Sequence, residues 1–392
     1  MPKAARVGQT PLHRGLPDEI VVWGILVRLP PESLLRCRAV CHAWHVATTT
    51  GDFLLAHHVH QPTVPLLHSH DHRNGITSLS LDIVPLDDRA GVADTGTDQL
   101  KSVARLVDHR FFRPVASCDG LLVLSVHTKH FVICNLATHQ HAPLRQLSGF
   151  VLLGMYLHNP TGEYQLLYLE QELAYDDDDA LDGQLGPPGF QHVYHVLALG
   201  SSEPPREIHY EWQKDLIYMI VPVPVLFGGS LHWPLEHRED GRTMIMVFDT
   251  TTESFWKMQS PVLDGLFEMH GMLAMYIVDD EVTHVAVWVL KDYENEEWTI
   301  KCRIELPVEG IMMQCGMHHS SWYVGAVSWD DDVLVLVQFG EWLLQIDVDG
   351  KLVRSFYRES LRFTHHQLKQ SLVPHTFFPS LQDYVVNDLP FV

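Results

Sequence analysis

Two distant stretches of this sequence are built to one plan. Residues 119–144 read DGLLVLSVHTKHFVICNLATHQHAPL, and residues 228–258 read GGSLHWPLEHREDGRTMIMVFDTTTESFWKM. Each opens on a glycine-led strand, turns, and returns as an alternating strand that ends in Asn135 or Asp249. Each then passes through a Thr-bearing turn, at Ala137-Thr138 or Thr250-Thr251-Thr252. A third, less complete copy is Ile346-Asp347-Val348-Asp349-Gly350. Short Val-, Leu-, Ile-, Phe- and Trp-rich runs broken by Gly, Asp and Asn read as strands. Their recurrence at roughly 40–50 residues is the mark of β-propeller blades. Residues 66–360 leave room for about six or seven such blades. A β-sandwich, or a pair of them, is the alternative. The repeated internal grammar favours radial repetition, with Trp233, Phe255, Trp256, Trp288 and Trp298 expected to be largely buried between blades.

The first sixty residues obey a different period. Pro17 stands where a helix begins, because its missing N–H costs nothing there. Asp18 and Glu19 follow in the first turn, where the helix dipole favours acids. Ile20, Trp23 and Val27 recur at helical spacing until Pro30-Pro31 ends the run. A second helix is expected from Ser33, with Cys37, Val40, Cys41 and Trp44 at i, i+3, i+4 and i+7. Asp52 is expected to cap a short third helix through Phe53, Leu54 and Leu55. Three short helices cannot bury so many large apolar groups among themselves. Leu26, Leu29, Leu34 and Leu35 therefore need cover, from the rest of the chain or from a partner.

Charge divides the chain at the same place. Residues 1–60 carry six basic and four acidic side chains, a net of +2, so the other 332 residues hold −24 of the total of −22. An acidic module of that size repels phosphate backbones, which argues against nucleic acid. The composition, 46% apolar and 19% charged, suits substantial cores rather than disorder. The longest apolar stretch, Val21 to Val27, falls well short of the ~18 residues that suggest a bilayer span. Six scattered cysteines form no C-x-x-C pair and read as reduced, mostly buried thiols. The expectation is a soluble protein of the cytoplasm, the nucleus or both.

The run LPDEIVVWGILVRLPPESLLRCRAVCHAWHVATTTGDFLLAHH resembles the F-box. Its marks here are Leu16-Pro17, Ile25-Leu26, Arg28-Leu29-Pro30, Ser33 to Arg36, Val40-Cys41 with Trp44, and Phe53-Leu54. His42 and His45 depart from the family pattern, as does Ile20, yet every apolar anchor is kept. The second module resembles the F-box-associated, kelch-like propeller regions of plant F-box proteins, especially those of grasses. SCDGLLVL, the Asn-x-Ala-Thr turn, GSLHW, the strand ending VFDT, HVAVWVLKDYENEEWTIKCRIEL at 284–306 and SLVPHTFF at 371–378 carry the likeness. Residues 66–110 and 170–190 match poorly.

The resemblance implies a small all-α F-box followed by an all-β propeller. Residues 1–15 would be a flexible N-terminus, 16–60 the F-box, and 61–392 the propeller domain, with an acidic loop at 170–189. It further implies the substrate-recognition subunit of a Skp–cullin–F-box (SCF) ubiquitin ligase, itself non-catalytic. The Skp-family adaptor would bind through Leu16, Pro17, Ile20, Leu26, Leu29, Pro30, Leu34, Leu35, Val40 and Trp44, with Leu34 and Leu35 as the purest interface positions. Through the adaptor come cullin and RING subunits, while the propeller holds an unknown protein target. The alternative is an interaction scaffold that binds the adaptor without delivering a substrate.

Candidate catalytic and metal sites are weak by comparison. Ser230 and His232 would share a strand face, but the G-x-S-x-G elbow that exposes a nucleophile is missing. The seven acids within 170–182 lack the D-x-D-x-D-G spacing that wraps calcium. His68, His70 and His72 would share one strand face and could offer imidazoles to a transition metal, without a carboxylate or thiol at zinc-site spacing. No cofactor and no metal are expected. Chelation with EDTA should therefore leave the melting temperature unchanged, and a fall of several degrees would restore the three-histidine site.

Overall fold

The computed structural model describes residues 16–73, 76–84, 100–108, 112–126, 130–147, 150–174, 189–208, 222–236, 243–261, 264–316, 321–329, 332–381 and 383–386. The expected flexible N-terminus, 1–15, lies outside them, as do residues 175–188 of the acidic run. The chain divides into two compact units, Met1–Thr63 with Lys369–His375, and Val64–Leu368 with Thr376–Val392.

The larger unit is a six-bladed β-propeller. Blade 1 holds Phe112–Cys118, Leu121–Val126, His130–Asn135 and Gln140–Pro143, with the short strand Val385–Val386 added outside. Blade 2 holds Val151–His158, Glu163–Ala174, Gly189–Ala198 and Arg206–Ile208. Blade 3 holds Val225–Phe227, Ser230–Glu236, Thr243–Asp249 and Ser254–Gln259. Blade 4 holds Gly265–Met269, Met272–Val278, His284–Asp292 and Glu297–Glu305, and blade 5 holds Trp322–Trp329, Asp332–Phe339, Trp342–Ile346 and Leu352–Tyr357. Blade 6 is composite: Leu361–Lys369 from the end of the chain lies beside Thr63–Arg73, followed by Ile76–Ile83 and Lys101–Asp108.

First strands of successive blades are neighbours around a common centre. Those of blades 1 and 2, 3 and 4, and 4 and 5 lie side by side. A Cβ added to Gly325 in blade 5 would meet the Phe363 ring of blade 6 at 2.5 Å, and one added to Gly154 in blade 2 would meet Pro224 at the start of blade 3 at 3.3 Å. Six apolar clusters then fill the six seams. Leu79 and Leu81 meet Leu122 and Leu124 between blades 6 and 1, and Leu121 and Ile133 meet Leu166 and Tyr168 between 1 and 2. Tyr156 and Tyr194 meet Trp233 and Phe248, Ile245 and Met258 meet Leu273 and Leu290, and Val285 and Ile304 meet Val335 and Ile346. Leu336 and Leu343 meet Leu67 and Leu361 at the last seam. Each blade is therefore apolar on both faces, which matches its near-continuous apolar runs.

Polar groups bridge the same seams. Trp233 Nε1 donates to the Leu153 carbonyl at 3.2 Å, Trp298 Nε1 to that of Gln259 at 3.1 Å, and the Tyr276 hydroxyl to that of Val324 at 3.0 Å. Asp82, wholly buried in blade 6, pairs with Arg358 at the end of blade 5. Of the five expected wedge aromatics only Trp233 is fully buried; Phe255, Trp256, Trp288 and Trp298 are half-buried. Phe255 and Trp256 sit on the fourth strand of blade 3 and Trp298 on that of blade 4. These outer strands reach the perimeter, where the seam is open to water. The cysteines are all free, but only Cys134 is buried and the others are partly exposed.

The repeat grammar has a direct physical basis. At the end of the third strand a carboxylate or amide oxygen accepts two backbone N–H groups of the following turn. Asn135 Oδ1 serves Ala137 and Thr138, Asp249 Oδ1 serves Thr251 and Thr252, and Asp347 Oδ1 serves Asp349 and Lys351. A fourth copy runs from Asp292 Oδ1 to the N–H groups of Glu294 and Asn295. The first hairpins of blades 1, 3 and 4 turn through Asp119-Gly120, Gly228-Gly229 and His270-Gly271, every residue at positive φ, as a two-residue hairpin of matching twist requires.

Buried imidazoles give the fold an acid limit. Burial lowers the pKa of His57, takes His68 and His366 down to about 3, and takes His232 to about 4. Each is neutral when folded, whereas the unfolded chain binds a proton near pH 6.5. Stability should therefore be full above about pH 6.5 and fall as pH drops below it, by about 1.4 kcal/mol per pH unit for each of His68, His366 and His232. Urea midpoints between pH 7.5 and 5 check this; a flat profile would contradict it.

Candidate protein-binding site

The smaller unit begins with a wound segment. Pro17 accepts backbone bonds from Ile20 and Val21, a wide π-type stretch covers Ile20–Ile25, and a 3-10 turn covers Leu26–Arg28. Pro31 then opens α1, Pro31–Arg38, as the missing N–H allows. The chain breaks at Ala39, Val40 and Cys41 before α2, His42–Thr48. The expected stripe Cys37-Val40-Cys41-Trp44 is thus divided between two helices. The Arg38 guanidinium bridges the break: its Nη2 donates to the Thr48 carbonyl at 2.7 Å and its Nε to Thr48 Oγ1 at 3.2 Å. A cation there also suits the negative end of α2.

Helix α3 spans Gly51–His60, and its cap is Thr50 rather than Asp52. Thr50 Oγ1 accepts from the Phe53 N–H at 3.3 Å, because the helix begins at Gly51 and the cap is the extended residue just before it. Asp52 contributes only its charge to the first turn. Inside the unit, the Leu29 carbonyl accepts from His57 Nε2 at 2.8 Å and from Gln61 Nε2 at 3.1 Å. Both carbonyl lone pairs are filled, so the bend after the 3-10 turn is tied to the end of α3. His58 Nδ1 lies 3.0 Å from Ser371 Oγ, which joins α3 to the returning segment Lys369–His375. That segment was expected to belong with the blades; it groups with the helices instead.

Burial sorts the candidate interface residues. Leu34 (0% exposed) and Leu26 (2%) are core, alongside Val21, Val27 and Phe53. Leu34 was expected as a free interface side chain; its first-turn position on α1 turns it inward, and Leu35 is the exposed neighbour at 42%. Leu16, Pro17, Ile20, Pro30 and Val40 are exposed, while Leu29 and Trp44 are half-buried. Trp23, Ile25 and Val46, which helical spacing alone did not single out for the surface, are also exposed, each above 40%. Trp23 leans on the buried Phe53 ring at a centroid distance of 5.6 Å. Monomeric surfaces rarely gather so many large apolar side chains without a partner. No helix of the described residues is long and apolar enough to cross a membrane.

His232 Nδ1 donates to the Val225 carbonyl at 3.2 Å and Nε2 accepts from the Tyr293 hydroxyl at 2.7 Å, which leaves no nitrogen to activate Ser230. The acidic run joins the second and third strands of blade 2, which pair from Ala174↔Gly189 inward. Among the described residues no group of three His, Cys, Asp or Glu is arranged to hold a metal ion; the His72 side chain lies outside them.

Comparison with known proteins gives these surfaces a family context. The model of the F-box associated beta propeller domain matches residues 92–343, and an F-box-like model matches residues 14–61. F-box protein CPR1 of Arabidopsis thaliana is 24% identical over 322 residues, covering 73% of this chain and 72% of that protein. A second F-box protein of the same plant is 22% identical, covering 76% of this chain and 79% of its own length.

The burial pattern separates packing from docking at adjacent positions. Leu34→Ala should cost about 2–5 kcal/mol by opening a cavity, whereas Leu35→Ala should change stability by no more than about 0.5 kcal/mol. Denaturant titration of the two variants measures this, and equal losses would refute the assignment.

Proposed function

This chain belongs to the F-box associated β-propeller family, and from that premise we propose that it is the substrate-recognition subunit of an SCF ubiquitin ligase. In this reading the helical unit binds a Skp-family adaptor, which brings cullin and RING subunits, and the propeller captures a protein target. The observation that carries the reading is the exposed apolar surface of residues 16–46, which coincides with the matched F-box-like segment. No residue of the chain performs chemistry in this scheme. The protein acts by proximity, since two binding surfaces on one polypeptide raise the target's effective concentration beside the ligase.

Adaptor contacts are proposed at Leu16, Pro17, Ile20, Pro30, Leu35 and Val40, with Leu29 and Trp44 at the margin. Leu26 and Leu34 support this surface from beneath. Interface anchors commonly cost ~2 kcal/mol or more on truncation. The double change Leu35→Ala and Val40→Ala should therefore weaken adaptor binding by about two orders of magnitude, with the melting temperature unchanged. Titration calorimetry against a purified Skp-family adaptor checks this; undiminished affinity would sink the proposed surface. A target that accumulates when the protein is depleted separates the receptor from a scaffold that delivers nothing.

A further inference from the structure

The bend that carries the exposed apolar surface of the helical unit is tied to one titratable side chain. His57 is 0% exposed, and its ring stacks on Phe53 at a centroid distance of 6.2 Å and an interplanar angle of 22°. Its Nε2 lies 2.8 Å from the Leu29 carbonyl oxygen. A carbonyl only accepts, so Nε2 carries the proton. Nδ1 then holds a bare lone pair, buried and without a hydrogen-bond partner among the described residues. This arrangement suits the neutral imidazole and no other form.

Protonation would place an N–H on Nδ1 with no acceptor and no water beside it. Burial lowers the His57 pKa, the Leu29 bond opposes that, and the charges of Arg38, His58 and His60 add to it. Arg38 stands at the end of α1, and the two histidines on α3 itself. Among the described residues no carboxylate offsets these cations. A charged ring is therefore driven out toward water, and the bond to Leu29 goes with it.

The loss falls on the bend between the 3-10 turn and α1. Leu29 has the buried Leu26 on one side and the exposed Pro30 and Leu35 on the other. Without His57, Gln61 Nε2 at 3.1 Å is the side-chain donor left to its carbonyl. A unit this small has few core side chains to hold the bend by packing.

We propose that His57 is a positioning residue of the adaptor surface, which holds that surface in shape while its imidazole is neutral and releases it on taking up a proton. The proposal rests on the receptor reading above and adds regulation of the same site by protons. Its direction follows from linkage. The clamp is at full strength above about pH 6.5, where the released imidazole is also neutral, and weakens as pH falls below that value.

Calorimetric titration of the full-length protein with a purified Skp-family adaptor at pH 7.5 and 5.5 tests this, beside His57→Gln and His57→Phe. His57→Gln can still donate to Leu29 and has no proton to gain. The released form gains up to about tenfold on the clamped form per pH unit, so the parent should lose about fivefold more affinity than His57→Gln between the two pH values. His57→Phe keeps the ring stack but donates nothing, and should bind more weakly than His57→Gln at pH 7.5. Parent and His57→Gln affinities that fall together would overturn the proposal. Hydrogen exchange at residues 26–35 of the free protein, parent against His57→Gln, reads the bend without the adaptor. The parent should exchange faster at pH 5.5 and not at pH 7.5, and equal exchange at both would overturn the clamp. A parent that exchanges as expected yet binds no adaptor at pH 7.5 would overturn the receptor reading, and the adaptor role of His57 with it, while the clamp stands. Melting temperatures of all three proteins at both pH values report folding.

Discussion

Closure of the propeller depends on one pairing between the two ends of its chain. Leu361–Lys369 lies beside Thr63–Arg73, and Thr364 Oγ1 donates to the Leu66 carbonyl at 2.5 Å across this junction. A single blade cannot bury its two apolar faces, so each needs a neighbour on either side. An open row would leave two faces in water; a ring leaves none. The junction closes a loop of nearly the whole module, and loop-closure entropy grows only slowly with length. One costly contact therefore completes the sixth seam, where the buried Asp82 pairs with the half-buried Arg358 beside Leu336 and Leu361.

The helical unit solves the opposite problem. It has too few residues to cover its apolar side chains, and its core is correspondingly concentrated in Val21, Leu26, Val27, Leu34 and Phe53. The Leu29 carbonyl, held by His57 and Gln61, fixes the bend that keeps Leu26 inside and leaves Leu35 outside. What remains exposed is the surplus of apolar surface that a partner would remove from water. The two units thus present different chemistry. One offers exposed apolar area, and the other places its apolar side chains in the seams between blades.

Architecture, blade grammar and the helical module were legible in the residues because each rests on local physics. Hairpin turns demand Asp-Gly or Gly-Gly, Asx turns demand Asn or Asp at strand ends, and helices start at proline with acids behind it. Those signals need no knowledge of distant contacts. The blade count was bounded at six to seven but not fixed, since strand spacing varies with loop length. Leu34 was misjudged for a related reason: adjacent leucines on a short helix give no periodic cue to which one turns inward.

Sequence alone determined that this chain makes short helices followed by radially repeated sheets, because periodicity and turn chemistry act over a few residues at a time. Tertiary structure decided what the pattern could not reach. It set the number of blades, because wedge packing and not repeat length closes a ring. It set the strand Leu361–Lys369 beside Thr63–Arg73 and grouped Lys369–His375 with the helices. It also brought Leu66 and Thr364 onto adjoining strands. No local rule links residues so distant; only the circular arrangement of blades makes them neighbours.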